Sequence, residues 1–345
     1  GVSRIASQEA TKRSSLSLIH IILIMNVISP LGAFLYSFKI LCNRPGTTTP
    51  PEINSDIDLT RYKIVSTVLG GVFLLFIFLF SDFFQPIMPL PYFWPLVFSL
   101  SFYLLATTRR SKIRRDEIIE MEKEFPDALF QIGSRVAEGD PLEIAFPKAV
   151  KTMQGTSIGN LFGEISSSLQ IKRLPLEETL FGEKGVLTDF PSKTITATMK
   201  TVIGLTSKDP KEAGKTILKI SEYLREMEEM DHEIKSSLSR SVGMMKGTAM
   251  FFAPVVMGIV VSLYQMLYEI FMGISNIEMI TPLNFTSVIT IYLILMTFVI
   301  IYFTTGIRSQ SDLLELKYQL GISIPINMIT FTAVLYIGKI TILAV

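Results

Sequence analysis

Only one cysteine, Cys42, and two histidines, His20 and His232, occur in this 345-residue chain. One thiol excludes a disulfide framework, and no cluster of residues has the spacing of a zinc site. Charge is also scarce: Asp, Glu, Lys and Arg make up 18% of the residues, against about 25% in soluble proteins. The 32 basic and 31 acidic residues nearly cancel, which removes the electrostatic case for a nucleic-acid partner. A Walker-type glycine loop, an H-E-x-x-H helix and a G-x-S-x-G elbow are all missing, so the usual signatures of nucleotide, zinc-protease and hydrolase sites are excluded. The expectation is a protein that is not an enzyme and that carries no cofactor and no catalytic or metal-binding residues. The chain opens on Gly1, and its first apolar run is too long for a signal peptide and has no small-residue cleavage site, so a fragment of a longer protein is expected.

What the chain has in abundance is apolar residues, 49% of the total, with a mean hydropathy of +0.44. Six stretches are free of Asp, Glu, Lys and Arg: Leu16 to Phe38, Ile64 to Ser81, Leu90 to Ala106, Gly247 to Tyr268, Leu283 to Ile307 and Tyr318 to Gly338. A helix needs roughly 20 apolar residues to cross the hydrocarbon, and one central charge costs about 3 kcal/mol, so charge-free runs of this length are selective for the bilayer. Transmembrane helices are expected over about 16–42, 63–84 and 90–106 in a membrane region 1–106, and over about 247–272, 283–305 and 318–343 in a second membrane region 247–345. Three prolines between Asp82 and Pro91 predict a tight hairpin between the second and third spans, with Tyr92 and Trp94 in an aromatic belt near its tip.

Orientation follows from Lys and Arg near the helix ends. Arg109, Arg110, Lys112, Arg114 and Arg115 follow the third span and Lys235, Arg240 and Lys246 precede the fourth, whereas the loops Asp82 to Pro89 and Gly273 to Pro282 hold neither residue. Residues 107–246 are therefore expected in the cytoplasm and both chain ends outside. Arg4, Lys12 and Arg13 then lie outside, against the rule, as an earlier membrane helix fixing the topology would explain.

Between the third and fourth spans, residues 109–246 hold 22 of the 32 basic and 22 of the 31 acidic residues, the composition of a water-facing domain. Phe125, Leu129, Ile132 and Val136 recur at helical steps and predict one buried stripe, with Gln131, Arg135 and Glu138 off it and Gly139 as the stop. Asp140-Pro141-Leu142-Glu143, Leu174-Pro175-Leu176-Glu177 and Asp209-Pro210-Lys211-Glu212 each suggest a helix start with proline at the first helical position and glutamate at the third, completing a capping box where Asp precedes. Phe190-Pro191 opens a further helix. Gly155, Gly159, Gly163, Gly182 and Gly185 are expected in loops or turns. From Pro210 to about Lys246, one long helix carries Ile217, Ile220, Leu224, Met227, Ile234 and Leu238 at near-heptad spacing, with Asp231 where an apolar residue is expected. It runs straight towards the fourth span.

Other polar residues have bland readings. The acidic run Glu222, Glu226, Glu228, Glu229, Asp231 and Glu233 suits a cation or a basic partner surface and equally a solvated helix face. Glu269 and His20 sit near the ends of their spans, where water is within reach. Gly70, Gly71 and Gly258 allow close helix approach. A transporter or channel is the alternative reading: it requires charges near mid-span, which are absent, and interrupted helices, which Pro30, Pro95, Pro254 and Pro325 would allow.

The string from Phe125 to Phe146, FPDALFQIGSRVAEGDPLEIAF, resembles the opening of the cytoplasmic domain in the type II secretion system F-domain family. The apolar helix, the Ala137-Glu138-Gly139 turn, a second helix start at Pro175 and a long helix entering a span at Gly247 match that family's order over roughly 107–272. The Asn43-Arg44-Pro45-Gly46 loop is similar to archaellum and archaeal type IV pilus assembly-platform proteins, which are typically longer. The resemblance implies an all-α membrane protein of about six transmembrane helices plus a cytoplasmic helical bundle, the secretion F domain. It also implies a multi-pass platform in the cell membrane that couples a cytoplasmic hexameric secretion ATPase to insertion of pilin or archaellin subunits, with a second copy of the chain as a further candidate partner. The family supplies no catalytic residues. For ATPase docking the candidates are Arg135, Glu138, Gly139 and Asp140 at the helix end, and Arg173.

Overall fold

The computed structural model describes residues 20, 22–43, 59–79, 90–172, 175–183, 185–206, 210–274, 280–308 and 312–343. Among these, regular structure is helical throughout, with no strand. The helices are α1 (Ser29–Cys42), α2 (Leu59–Leu79), α3 (Leu90–Ala137), α4 (Leu142–Thr152), α5 (Ser157–Lys172), α6 (Leu176–Phe181), α7 (Lys193–Thr206), α8 (Pro210–Gly247), α9 (Ala253–Ile274), α10 (Pro282–Arg308) and α11 (Leu313–Leu343). A π-helical turn precedes α1 at Leu23–Ile28 and another precedes α9 at Thr248–Phe252. Among the described residues six helical stretches are long and apolar enough to cross a membrane, as the six charge-free runs predict, which is the make-up of an all-α, multi-pass membrane protein. α3 is one 48-residue helix: nothing between its apolar first half and its charged second half breaks it, although Pro126 removes one backbone bond.

Residue contacts divide the described residues into two units, one made of those up to 109 and from 238 onward and one of those from 110 to 237; the divisions fall inside α3 and α8. In the first unit, half of the apolar window of α10 and 44% of that of α11 are buried, against 11% in Leu23–Cys42 and 17% in α2, so α10 and α11 form the interior. Their core includes Ile289, Leu293, Ile301, Ile324, Met328 and Phe331, joined by Leu90 and Val97 of α3 and Val261 of α9. α2 leaves Leu75, Phe78 and Leu79 largely exposed, a surface that hydrocarbon accepts and water does not. Small residues let the backbones close: Gly70 takes Ser99 against it and Gly258 takes Val334, while Gly71 meets nothing within 4 Å. The hairpin turn expected before α3 falls outside the described residues, but its two helices are clasped. Ser66 Oγ donates to the Ser99 carbonyl at 2.7 Å and Ser99 Oγ returns the bond to the Ser66 carbonyl at 2.8 Å.

The second unit has its own core of Phe125, Leu129, Ile132 and Val136 from α3, Phe146 from α4, Phe162 and Ile165 from α5, and Ile217 from α8. The four-residue stripe read from the sequence is thus the buried face of α3. α3 and α8 approach closely at two glycines: Ile217 lies 2.9 Å from where a Cβ on Gly133 would stand, and the backbone of Ala137 fills the place of a Cβ on Gly214. Carboxylates of α3 also finish other helices. Glu124 accepts the Ile158 N–H in the first turn of α5 at 2.9 Å. Ser192 precedes α7, its Oγ accepts the Ile195 N–H at 3.1 Å, and the same hydroxyl donates to Glu122 at 2.5 Å. Each places negative charge at a helix N-terminus, where unpaired N–H groups collect.

Three local expectations are corrected. α4 and α6 begin one residue after their prolines: Pro141 and Pro175 are the N-caps, with extended backbone and no side-chain cap bond. Asp140 is therefore no capping box and instead pairs with Lys148 at 2.7 Å. Of the three predicted starts only that of α8 falls on its proline. Gly159 and Gly163 lie inside α5, not in loops, whereas Gly155, at φ +91°, is in the turn before it. The single stripe expected along α8 splits in two: Ile217 is buried and Ile220 and Leu224 pack on the core, but Met227 and Ile234 point outward. Asp231 is held by an ion pair to Lys235 at 2.5 Å, one turn along the same helix.

Candidate functional site

The docking residues proposed from the sequence collect at one turn, except Arg173, which lies outside the described residues. α3 ends when Gly139 takes φ +106°, a conformation that costs a residue with a Cβ. The Gly139 N–H then bonds the Val136 carbonyl at 3.0 Å and the Asp140 N–H reaches back to the Arg135 carbonyl at 3.1 Å, the paired bonds of a Schellman ending. Glu138 and Gly139 are exposed, Asp140 is half-buried beside Lys148, and Arg135 is half-buried with its Nε unpaired. This is a charged corner at the end of α3.

A second polar site lies in the membrane unit and was not legible in the sequence. The Ala253 N–H bonds the Thr248 carbonyl five residues back, the mark of a π turn. The next donor, residue 254, is proline and has no N–H, so the Ala249 carbonyl is left without a partner inside its own helix. Asn327 of α11 supplies the bond: its Nδ2 donates to Ala249 O at 2.8 Å and to Thr297 Oγ1 of α10 at 2.7 Å. Asn327 is 2% exposed. The same need arises at Pro325, which leaves the Gly321 carbonyl open one turn back, and there Ser101 of α3 donates to it. In hydrocarbon an unpaired carbonyl costs several kcal/mol, so such prolines survive only where a neighbouring helix brings a donor.

The interruptions that these prolines would allow under the transporter alternative are not seen in the described spans. Pro30 and Pro254 each stand second in a helix that continues from a π turn, and Pro325 lies within unbroken α11. Thr286, Thr290 and Thr297 satisfy their hydroxyls on carbonyls one turn back in α10, at 2.7 to 2.8 Å. Glu269, on α9, rims an open apolar groove of about 720 Å³ between α9 and α11 that Ile259, Leu263, Met266, Val334 and Ile337 line. Among the described residues no three His, Cys, Asp or Glu side chains are placed to hold a metal ion.

Among the described residues outside the membrane spans, one titratable group is clearly shifted. Burial pushes the Glu122 carboxyl above its usual value; the hydrogen bond from Ser192 opposes this, repulsion from Glu228 adds to it and Lys235 opposes it. Its place under the cap of α7 makes it a structural carboxylate. Compared with known protein families, with curated proteins and with solved structures, the chain has no match.

Proposed function

We propose that this protein is the membrane platform of an archaellum or of a type IV pilus or type II secretion-like machine, on which a cytoplasmic hexameric ATPase acts to insert pilin-like subunits into a filament. The observation that carries this reading is the string from Phe125 to Phe146, with its family resemblance. Its Phe125, Leu129, Ile132, Val136 and Phe146 lie in the core of the helical unit, and Glu138 and Gly139 stand at the exposed corner. Helical backbone from Pro210 through the π turn to Ile274 supports a mechanical role, because such a segment passes a displacement along its axis. The Lys and Arg bias supports a cytoplasmic place for residues 107–246.

Two experiments test the proposal. With the full-length chain in detergent and the candidate ATPase at physiological salt, complex formation and a rise of about threefold or more in ATP turnover are expected, a change of at least about 0.6 kcal/mol in barrier. Glu138→Arg with Asp140→Arg should reduce both, and absence of any association would sink the reading. Topology is read separately. After Cys42→Ser, single cysteines at Ser236 and Thr281, both exposed, should react with a membrane-impermeant reagent from opposite sides. Labelling from one side would refute the orientation.

A further inference from the structure

Along α8, beyond the point where the helix leaves the core of its unit, Tyr223, Met227, Met230 and Ile234 are 61%, 39%, 55% and 47% exposed. Their steps of four, three and four residues place them on one stripe, the spacing by which a helix meets another helix. The stripe is a face apart from the buried one, which carries Ile217, Ser221 and Leu224. Ser221 is tied to the Pro126 carbonyl at 2.8 Å, so the rotation of the helix is set and these four side chains are directed outward. Four apolar side chains in a continuous exposed row on a charged helix are unusual, since a purely solvated face would carry polar residues there.

Charge decides which occupant this seam accepts. At 3.6 residues per turn Glu222, Glu226, Glu229 and Glu233 form a row along one edge of the stripe, and all four are exposed. From residue 222 to residue 234 there are six carboxylates and one guanidinium, and that guanidinium, Arg225, is paired with Asp127 at 2.5 Å. A second copy meeting the first through the same seam would gather the carboxylates of both helices at one interface, so like charges oppose that pairing. An anionic lipid surface is repelled for the same reason. An amphipathic helix with an apolar stripe bordered by Lys and Arg satisfies both features at once, burying the stripe and neutralising the row.

We infer that the outer face of α8 between Glu222 and Ile234 is a docking seam for a basic amphipathic helix of a partner protein. It rests on the residues of α8 alone, so failure of the ATPase to bind leaves it standing. The test uses the full-length chain in nanodiscs of zwitterionic lipid and two fluorescent helical peptides with the same Leu/Ile stripe, one bordered by Lys and one by Glu, with binding read by anisotropy. The Lys peptide is expected to bind at least about tenfold more tightly than the Glu peptide at low salt, with the gap narrowing as salt screens the row.

Glu226→Lys with Glu233→Lys leaves the row with no net charge and should abolish that preference, and Met230→Ser with Ile234→Ser should weaken the Lys peptide roughly tenfold at every salt concentration. All four positions are exposed, so the fold, followed by circular dichroism, should be retained. Equal affinity for the two peptides would overturn the inference, as would binding unaffected by the Met230 and Ile234 changes. So would loss of a dimer by the same variants in sedimentation, which would give the seam to self-association, or seam-dependent binding to phosphatidylserine vesicles.

Discussion

Asn327→Leu should destabilise the membrane unit by about 1–3 kcal/mol, and Pro254→Ala should recover much of that loss. The leucine removes two donations at once. The Ala249 carbonyl then has no donor in its own helix, and the hydroxyl of Thr297 loses the approaching amide but keeps its bond to Leu293. The range reflects measured values of about 0.6 kcal/mol, at most near 1.7, for single hydrogen bonds between membrane helices, with the orphaned carbonyl added. The buried Asn327 Oδ1 has no partner, and its removal offsets part of the cost.

Pro254→Ala restores a backbone N–H within reach of the open carbonyls, so the two substitutions should be strongly non-additive in thermal unfolding of the detergent-solubilised chain. Additive effects would show that the amide does not serve the π turn. Closing the turn to a regular helix also adds up to one residue's worth of winding, about 100°, between α9 and the last turns of α8. On the platform reading, Pro254→Ala alone should therefore leave a stable protein that assembles filaments poorly.

Ser192→Ala should cost the helical unit about 3 kcal/mol at neutral pH. The hydroxyl caps α7 through the Ile195 N–H, worth about 1–2 kcal/mol, and it is the hydrogen-bond donor to Glu122, whose half-buried carboxylate would otherwise stand unpaired at a further cost of about 1–3 kcal/mol. For a unit of this size that is a fall of roughly 10 °C in Tm. The pH dependence has a definite sign. Glu122 titrates above its unfolded value, so its contribution is fully favourable below the unfolded pKa and is lost as pH rises through the folded one. Removing the Ser192 donor raises the folded pKa further, so the cost of Ser192→Ala should grow with pH through that window and shrink towards the loss of the cap alone in acid. Glu122→Gln keeps an oxygen to accept from Ser192 and carries no charge, so it should flatten this dependence and be at least as stable as the parent at neutral pH. A pH-independent cost would refute the assigned coupling.

Which parts were legible in the amino-acid order follows from the range of the forces. The six apolar runs needed only local composition, because the bilayer judges each segment alone. The Phe125, Leu129, Ile132 and Val136 face needed only helical period, and Gly139 only its freedom at positive φ. The turn of Arg135, Glu138, Gly139 and Asp140 was legible because it is contiguous. Beyond that range the reading failed in identifiable ways. Asp140 looked like a cap, but Lys148 competes for it. Met227 and Ile234 looked buried, but the core of the unit has already been left behind at Leu224, and periodicity alone cannot say on which side a second helix stands.

By itself, then, the sequence determined the solvent of each segment, the helical state and the face of α3 that turns inward, since all three depend on residues within a few turns of one another. Only the tertiary structure decided how the prolines of the spans are accommodated and how the helix ends are finished. The donors for Ala249 and Gly321 lie 78 and 220 positions away in the chain, and the carboxylate beneath the cap of α7 lies 70 away. A missing N–H inside hydrocarbon must be answered by some donor, but which one depends on packing that brings remote helices together.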